Sequence, residues 1–334
     1  MKRIPKKAMR AALIALLSVA VLGTSVTALA NDTTIEISDG KNSAPIAENL
    51  ELTTYRGVEA AGKFKAVDPD GDSVTFEITG MPKKGAASLC EGGGFSYAPE
   101  ESARGKDSFT YVAVDSRGAV SKPATVTVSI KKQNTKITYS DMSGNDAEYS
   151  ALVLAENGVF TGEKMGGKYF FRPDEEVSRG EFLAMCMSVA GTETLDGVSR
   201  TGFFDDAEIP MWVKPYVSAA LLGGMISGYR DSMGRPVFNA GAAITFSEAA
   251  VVLNNALGIT DVYSVGAFQP ENLAVPVWAQ TASANLVSCN ILPSGLAGVS
   301  AEAITRADAA KLLSGAIDVV NARAGESGLL SWLK

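Results

Sequence analysis

The chain has 334 residues and no histidine, and its 37 Asp and Glu against 30 Lys and Arg give a formal net charge of -7. Without histidine it has no Ser-His-Asp or Cys-His nucleophile system and no His-ligated zinc site, and the acidic balance without clustered Lys and Arg excludes a nucleic-acid partner. Cys90, Cys186 and Cys289 fall in three distant regions, which is no disulfide framework.

Residues 1–30 read as a secretory signal peptide. Lys2, Arg3, Lys6, Lys7 and Arg10 form a basic start, an apolar run extends from Ala11 to about Leu22, and Ala28-Leu29-Ala30 supplies the small-x-small cleavage signal. Its removal takes the cations from 30 to 25 against 37 acids, a net charge of -12. No later apolar run approaches the ~20 residues needed to cross a bilayer. With no cysteine at the cleavage site to carry a lipid and no sorting motif, retention at the surface is expected to rest on non-covalent binding.

Residues 31–41 read as a polar leader. From residue 42 to residue 130, short alternating runs separated by Gly, Pro and Asp turns predict an all-β sandwich of about seven strands. Val74, Phe76 and Ile78 share one face of a strand, as do Phe95 and Tyr97, and Val126, Val128 and Ile130. Ala44-Pro45, Val67-Asp68-Pro69-Asp70-Gly71-Asp72, Gly105-Lys106-Asp107-Ser108-Phe109-Thr110-Tyr111 and Asp115-Ser116-Arg117-Gly118 form a series that resembles the bacterial cadherin-like and Ig-like repeats of surface proteins. That resemblance implies a spacer or adhesive module, and in some members calcium at the domain edge. Asp68, Asp70 and Asp72 alternate like the opening of a calcium loop, although Gly at the sixth position and Glu at the twelfth are missing. The plainer reading is a Pro-Asp-Gly turn with solvated acids. Asp115 would complete a site only if its loop lies beside the first.

Residues 131–137 are a polar, charged break and read as the linker. Beyond it the chain is helical and repetitive. Ser178-Arg179-Gly180-Glu181, Thr245-Phe246-Ser247-Glu248 and Thr305-Arg306-Ala307-Asp308 each place a hydroxyl three residues ahead of a carboxylate and before an apolar helix, the capping-box arrangement. Glu181, Glu248 and Asp308 are therefore assigned first to capping and only second to a site. Arg179 and Arg306 stand at the first helical position, where the dipole disfavours a cation, so each is expected to face an anion: a ligand, or an acid of this chain. The first two helices are expected to stop at Gly191 and Gly258, and the third near Val320. Phe182, Met185, Cys186 and Val189 make one apolar stripe in the first. Earlier helices are expected over 147–157, 213–222 and 277–287.

Ile226-Ser227-Gly228-Tyr229, Phe171-Arg172-Pro173 and Ile304-Thr305-Arg306-Ala307-Asp308 resemble the S-layer homology module. Three copies, at 138–191, 201–258 and 266–320, resemble the usual family triplet. The resemblance implies an all-α pseudo-threefold prism that holds pyruvylated secondary cell-wall polysaccharide in grooves between repeats. The chain departs from the pattern at Asp146 where Trp is expected, at Phe246 in place of Arg, and at Asn272 in place of Asp. The glycan-binding candidates are Arg179 and Arg306, whose guanidinium forks match a carboxylate, with Asp141, Asp206, Trp212 and Trp278. The two Asp residues read equally well as caps or loop stabilisers, and the two Trp residues as packing.

The fold expected is thus a β-sandwich followed by a helical three-repeat domain, and the function non-enzymatic anchoring at the cell wall or S-layer through an anionic glycan, with no partner assigned to the β domain. The alternative is a calcium-dependent adhesive or structural surface protein whose activity lies in the β-sandwich. A carboxylate glycosidase is a third reading, with no segment left over to form it.

Overall fold

The computed structural model describes residues 42–260, 275–289, 291–292 and 301–331, with side chains as far as residue 324. The signal segment, Asn272 and the opening of the third copy lie outside the described residues.

The β half begins with β1 (Ile46–Ala47), β2 (Leu50–Tyr55), β3 (Ala60–Lys63), β4 (Ala66–Val67) and β5 (Val74–Gly80). It continues with β6 (Gly85–Leu89), β7 (Gly94–Pro99), β8 (Gly105–Asp115) and β9 (Ala124–Lys131). A four-stranded sheet in the order β2-β9-β8-β5 and a three-stranded sheet in the order β3-β7-β6 carry the seven main strands, and β1 pairs with β4 as a short ribbon. Strand β2 runs parallel to β9, so the first long strand is locked against the last. Alternation is strictest in β9, where Val126, Val128 and Ile130 are buried between partly exposed Thr and Ser. They meet Phe64, Phe95, Tyr97, Phe109 and Tyr111 in one core. Phe95 lies over Gly62 of the neighbouring strand, where a Cβ would stand 2.4 Å from the ring; only glycine fits beneath it.

The helical half contains α1 (Glu148–Glu156), the hairpin β10 (Glu163–Met165) and β11 (Lys168–Phe170), and α2 (Arg179–Ala190). Next come α3 (Lys214–Leu222), the hairpin β12 (Tyr229–Arg230) and β13 (Pro236–Val237), and α4 (Phe246–Leu257), then α5 (Val277–Ser288) and α6 (Arg306–Ser331). Helices α2, α4 and α6 pack against one another, and each takes one further helix on its flank: α3 on α2, α5 on α4, α1 on α6. Gly191 and Gly258 end α2 and α4 in the left-handed conformation, at φ 64° and 57°. Helix α6 does not stop near Val320 but runs on to Ser331; Asn321, which could have ended it in the left-handed conformation, is helical instead. In α2, Phe182, Cys186 and Val189 are buried with Leu183 and Met187, while Met185 is only partly covered. Burial pushes the Cys186 thiol well up, so it behaves as a small hydrophobe. None of the described helices is long and apolar enough to cross a membrane.

The approaches to α2, α4 and α6 meet in a closed ring of backbone hydrogen bonds. Val177 N donates to Ile304 O at 3.0 Å, Ile304 N to Ile244 O at 2.9 Å, and Ile244 N to Val177 O at 2.9 Å. All three side chains are buried, so none of these peptide groups has water as an alternative partner.

The two halves share packing. Tyr55 and Val58, at the end of β2 and in the turn after it, belong to the core of the helical half, and the Tyr55 ring sits 5.2 Å from that of Tyr149. Glu156 accepts from the Tyr55 hydroxyl at 2.8 Å and from Asn134 N at 2.5 Å.

Candidate functional site

At the start of α2, Ser178 N donates to Glu181 Oε2 at 3.0 Å and Ser178 Oγ accepts from Glu181 N at 3.3 Å. Thr245 and Glu248 repeat this at α4, and Thr305 and Asp308 at α6. All three carboxylates are capping groups.

The first amides of these helices, where an external anion would sit, are occupied by carbonyls of other segments. Arg179 N and Gly180 N donate to Ala242 O and Ala240 O, and Arg306 N and Ala307 N to Glu175 O and Pro173 O, all within 2.8–2.9 Å; Phe246 N donates to Glu302 O at 3.0 Å. Each loop thus caps a helix of a different copy.

Acids hold the two fully described loops in place. Asp141 accepts from Phe171 N at 2.9 Å and Arg172 N at 2.7 Å. Its counterpart is not Asp206 but Asp205, which accepts from Phe238 N at 2.9 Å and Asn239 N at 2.7 Å. The aromatic that opens the second copy is accordingly Phe203, packed on Phe238 at 5.7 Å as Tyr139 is on Phe171 at 5.3 Å. Arg172 and Asn239 occupy the same left-handed position, at φ 57° and 58°. An asparagine adopts it readily, whereas an arginine there is strained by roughly 1–2 kcal/mol. Asp206 is engaged elsewhere, pairing with the buried Lys214 at 2.8 Å and accepting from Thr201 N at 2.5 Å. Lys214 and the Thr201 amide hold its carboxyl down at about 2.

The two candidate arginines differ. Arg179 is 7% exposed. Its Nε donates to Phe238 O at 3.0 Å, its guanidinium lies 4.4 Å from the Tyr229 ring centroid, and its Nη1 is 3.0 Å from Glu248 Oε2 though poorly aligned for a hydrogen bond. The Tyr229 hydroxyl bonds the other oxygen of Glu248. Burial pushes the Glu248 carboxyl up, but Tyr229, Thr245 and the charge of Arg179 outweigh it and hold it below its ordinary range. Arg306 instead belongs to a four-membered ring of charges: it lies 2.9 Å from Glu175 and 3.4 Å from Glu163, and Arg172 lies 2.8 Å from Glu175 and 2.9 Å from Glu163. The anion that the helix dipole calls for is, at both entrances, supplied by this chain. Arg172, Glu163 and Glu175 were missed by sequence reasoning because their convergence is set by tertiary packing across 143 residues.

Trp212 and Trp278 do not pack the core: they are 54% and 60% exposed. Trp212 meets Tyr216 edge-on at 6.3 Å. Nearby in sequence, a cleft of about 510 Å³ is lined by Phe204, Asp231, Arg235 and residues 239–242, with the Arg235 guanidinium 3.7 Å from the Phe204 ring centroid.

In the β half, Asp68 Oδ1 accepts from Asp70 N at 2.9 Å and Asp72 N at 3.1 Å, closing the turn through Gly71. Asp70 does not join its neighbours in a cluster but binds Ser43 N at 2.6 Å. Asp115 takes its place: oxygens of Asp68, Asp72 and Asp115 lie within 4.8 Å of one another. Asp68 Oδ2 and Asn42 Oδ1 are buried without a hydrogen-bond partner, while Arg117 reaches Asp72 at 2.5 Å and Asp70 at 3.4 Å.

Residues 42–132 match the family model of the bacterial cadherin-like domain, and residues 138–183 that of the S-layer homology domain. No curated protein matches the chain. Among solved structures it is similar to an endo-fucoidan hydrolase of glycoside hydrolase family 107, 19% identical over 28% of this chain and 14% of that one, at a TM-score of 0.23. It is also similar to the SrpA adhesin from Streptococcus sanguinis, 18% identical over 36% and 79% of the two chains at a TM-score of 0.25. Titin domain M7 is 15% identical over 27% and 97%, at 0.18.

Proposed function

We propose that this chain, which carries a bacterial cadherin-like domain followed by an S-layer homology domain, is an exported protein held non-covalently at the cell wall, with its helical half as the anchor and its β half displayed. The observation that carries the reading is the S-layer homology match at 138–183, whose helix entrance recurs twice and closes on itself through Val177, Ile244 and Ile304. That ring supports three repeats about a pseudo-threefold axis, although only the first matches the family model. Both domain kinds are non-enzymatic, and no catalytic role is proposed.

The ligand we infer is an anionic secondary cell-wall polysaccharide bearing pyruvyl ketals, read by arginine at the seams between repeats. The exposed Trp212 and Trp278 are available for stacking on sugar faces. Purified walls, intact or stripped of ketals by mild acid, are mixed with the full chain and sedimented. The chain should pellet with intact walls and remain in solution with stripped ones; equal pelleting refutes ketal recognition, and no pelleting refutes anchoring.

A second reading is supported by the β half. Asp68, Asp72, Asp115 and Asn42 offer hard oxygen ligands of the kind calcium takes, two of them otherwise unpaired and buried. A calcium ion there would tie the chain entry at Asn42 to both turns and displace Arg117 from Asp72. Millimolar calcium should then raise the melting temperature by mass action, an effect lost in Asp115→Asn and kept in Asp70→Asn. An unchanged melting curve leaves these acids as turn-forming groups.

A further inference from the structure

We propose that the two halves move as one rigid body, locked by a two-point joint in which Tyr55 is the second attachment and Glu156 the clasp. The β half is then a fixed strut that carries its acidic turns at the end away from the helices. The inference is independent of what the helical half binds.

The joint follows from strand direction. Because β2 runs parallel to β9, with Tyr55 opposite Lys131, the end of the first long strand arrives beside the end of the last. Strand β9 enters the helical half covalently, through residues 132–136. Strand β2 enters it without a bond, through the turn that follows it: Tyr55 and Val58 are 5% and 8% exposed and belong to the helical core rather than to the β core. The turn is held in shape for this. Thr54 Oγ1 donates to Val58 O at 2.7 Å from a buried position, Val58 N to Tyr55 O at 3.2 Å, and Arg56 N to Lys131 O at 3.2 Å. A single tether leaves a domain free to swivel, and a small polar contact leaves it free to rock. Two adjacent strands that enter at separate points, one of them as a buried aromatic against Tyr149, remove both freedoms.

The linker is itself fastened. Glu156, the last residue of α1, accepts from the Tyr55 hydroxyl at 2.8 Å with one oxygen and from Asn134 N at 2.5 Å with the other. One carboxylate therefore grips both attachments. Burial and the neighbouring Glu156 push the Tyr55 hydroxyl well above its ordinary pKa, so it stays a donor. Gln133 Nε2 donates to Thr135 Oγ1 at 2.8 Å and to Ile137 O at 2.7 Å, which draws the linker in, and Ile137 packs on the helical core. A flexible polar linker behaves as a random coil and holds no such contacts.

Strand register then fixes what the strut presents. Strand β8 pairs Gly105 with Ile130 at the joint and Asp115 with Val74 at its other end, roughly 30 Å away at the usual rise of a strand. Asn42, Asp68, Asp72 and Asp115 thus share the far end. Whatever contacts those turns is met at a set distance and angle from the helical half.

The test measures residual dipolar couplings on the full chain, aligned in a dilute neutral gel, together with the rate of trypsin cleavage after the exposed Lys132 and Lys136. One alignment tensor should fit both halves. In Glu156→Ala, with both halves still folded by circular dichroism, cleavage in the linker should rise roughly tenfold or more, the change in open population that loss of one charged hydrogen bond produces. Tyr55→Phe removes the hydroxyl alone and should give a smaller rise. Two independent tensors in the wild-type chain overturn the proposal, as does linker cleavage in Glu156→Ala at the wild-type rate. Wall binding plays no part in either measurement.

Discussion

Replacing Arg179 by methionine tests whether this arginine holds the fold or reads a ligand. The substitution keeps the apolar stem and removes one hydrogen bond to Phe238 O, the stacking on Tyr229 and the contact with Glu248. A charged hydrogen bond contributes about 1.5–3 kcal/mol and a desolvated cation–π contact up to about 2 kcal/mol. These overlap, and breaking one side of a buried pair costs about 3–5 kcal/mol in all. Glu248 keeps donors from Thr245 and Tyr229, so the lower end, about 3 kcal/mol, is expected. Urea unfolding followed by far-ultraviolet circular dichroism reports on this half, since every described α-helix lies within residues 148–331. In Glu248→Gln the pair is already broken, so adding Arg179→Met should then cost about 1–2 kcal/mol less than it does alone. A single Arg179→Met variant within about 0.5 kcal/mol of wild type, or strictly additive losses, would refute the assignment of Arg179 to structure.

Three further outcomes follow from the same contacts. Asp205→Ala strands the amides of Phe238 and Asn239 and should lower stability by about 2 kcal/mol, read as a reduced urea midpoint, with Asp205→Asn milder because one oxygen remains. Asp206 has its carboxyl held at about 2 against an ordinary 3.8. Its stabilisation is therefore fully present above pH 3.8 and lost as pH falls through about 2, so Asp206→Asn should flatten the acid limb of a melting-temperature profile over that window; an unchanged profile contradicts the pairing. Gly62→Ala drives a Cβ to 2.4 Å from the Phe95 ring and should cost about 1–3 kcal/mol in a melt followed by near-ultraviolet signals of the β half.

Local chemistry was legible in the sequence. The capping boxes at Ser178 and Thr245, the left-handed glycines at 191 and 258 and the alternation of β9 each depend on a few adjacent residues, and they stand in the structure as the pattern requires. What failed was register and reach. Phe203-Phe204-Asp205-Asp206 offers two acids behind two aromatics, and only the grip on Phe238 and Asn239 distinguishes them. The helix dipole rightly calls for an anion beside Arg179 and Arg306. It carries no trace of the distant carbonyls that cap the helices, nor of Glu248, Glu163 and Glu175 closing on the guanidiniums, because those partners come from elsewhere in the chain. Arg172 shows in the sequence only as part of a Phe-x-Pro pattern, since a left-handed backbone leaves no mark on an arginine's neighbours.

The cyclic capping of helices has a kinetic meaning for a chain that emerges N-terminus first. The carbonyls of the first copy's loop accept from the first amides of α6, and Glu163 finds Arg306 only 143 residues later. The first helical segment therefore cannot complete its own fold when it emerges; it waits, partly open, until the start of α6 has been made. Closure at such sequence distance is slow, and until it occurs the apolar faces of α1 and α2 remain aggregation-prone. In return the closing step is all-or-none: a truncation before residue 306 leaves an unclosed helical half, open to proteolysis.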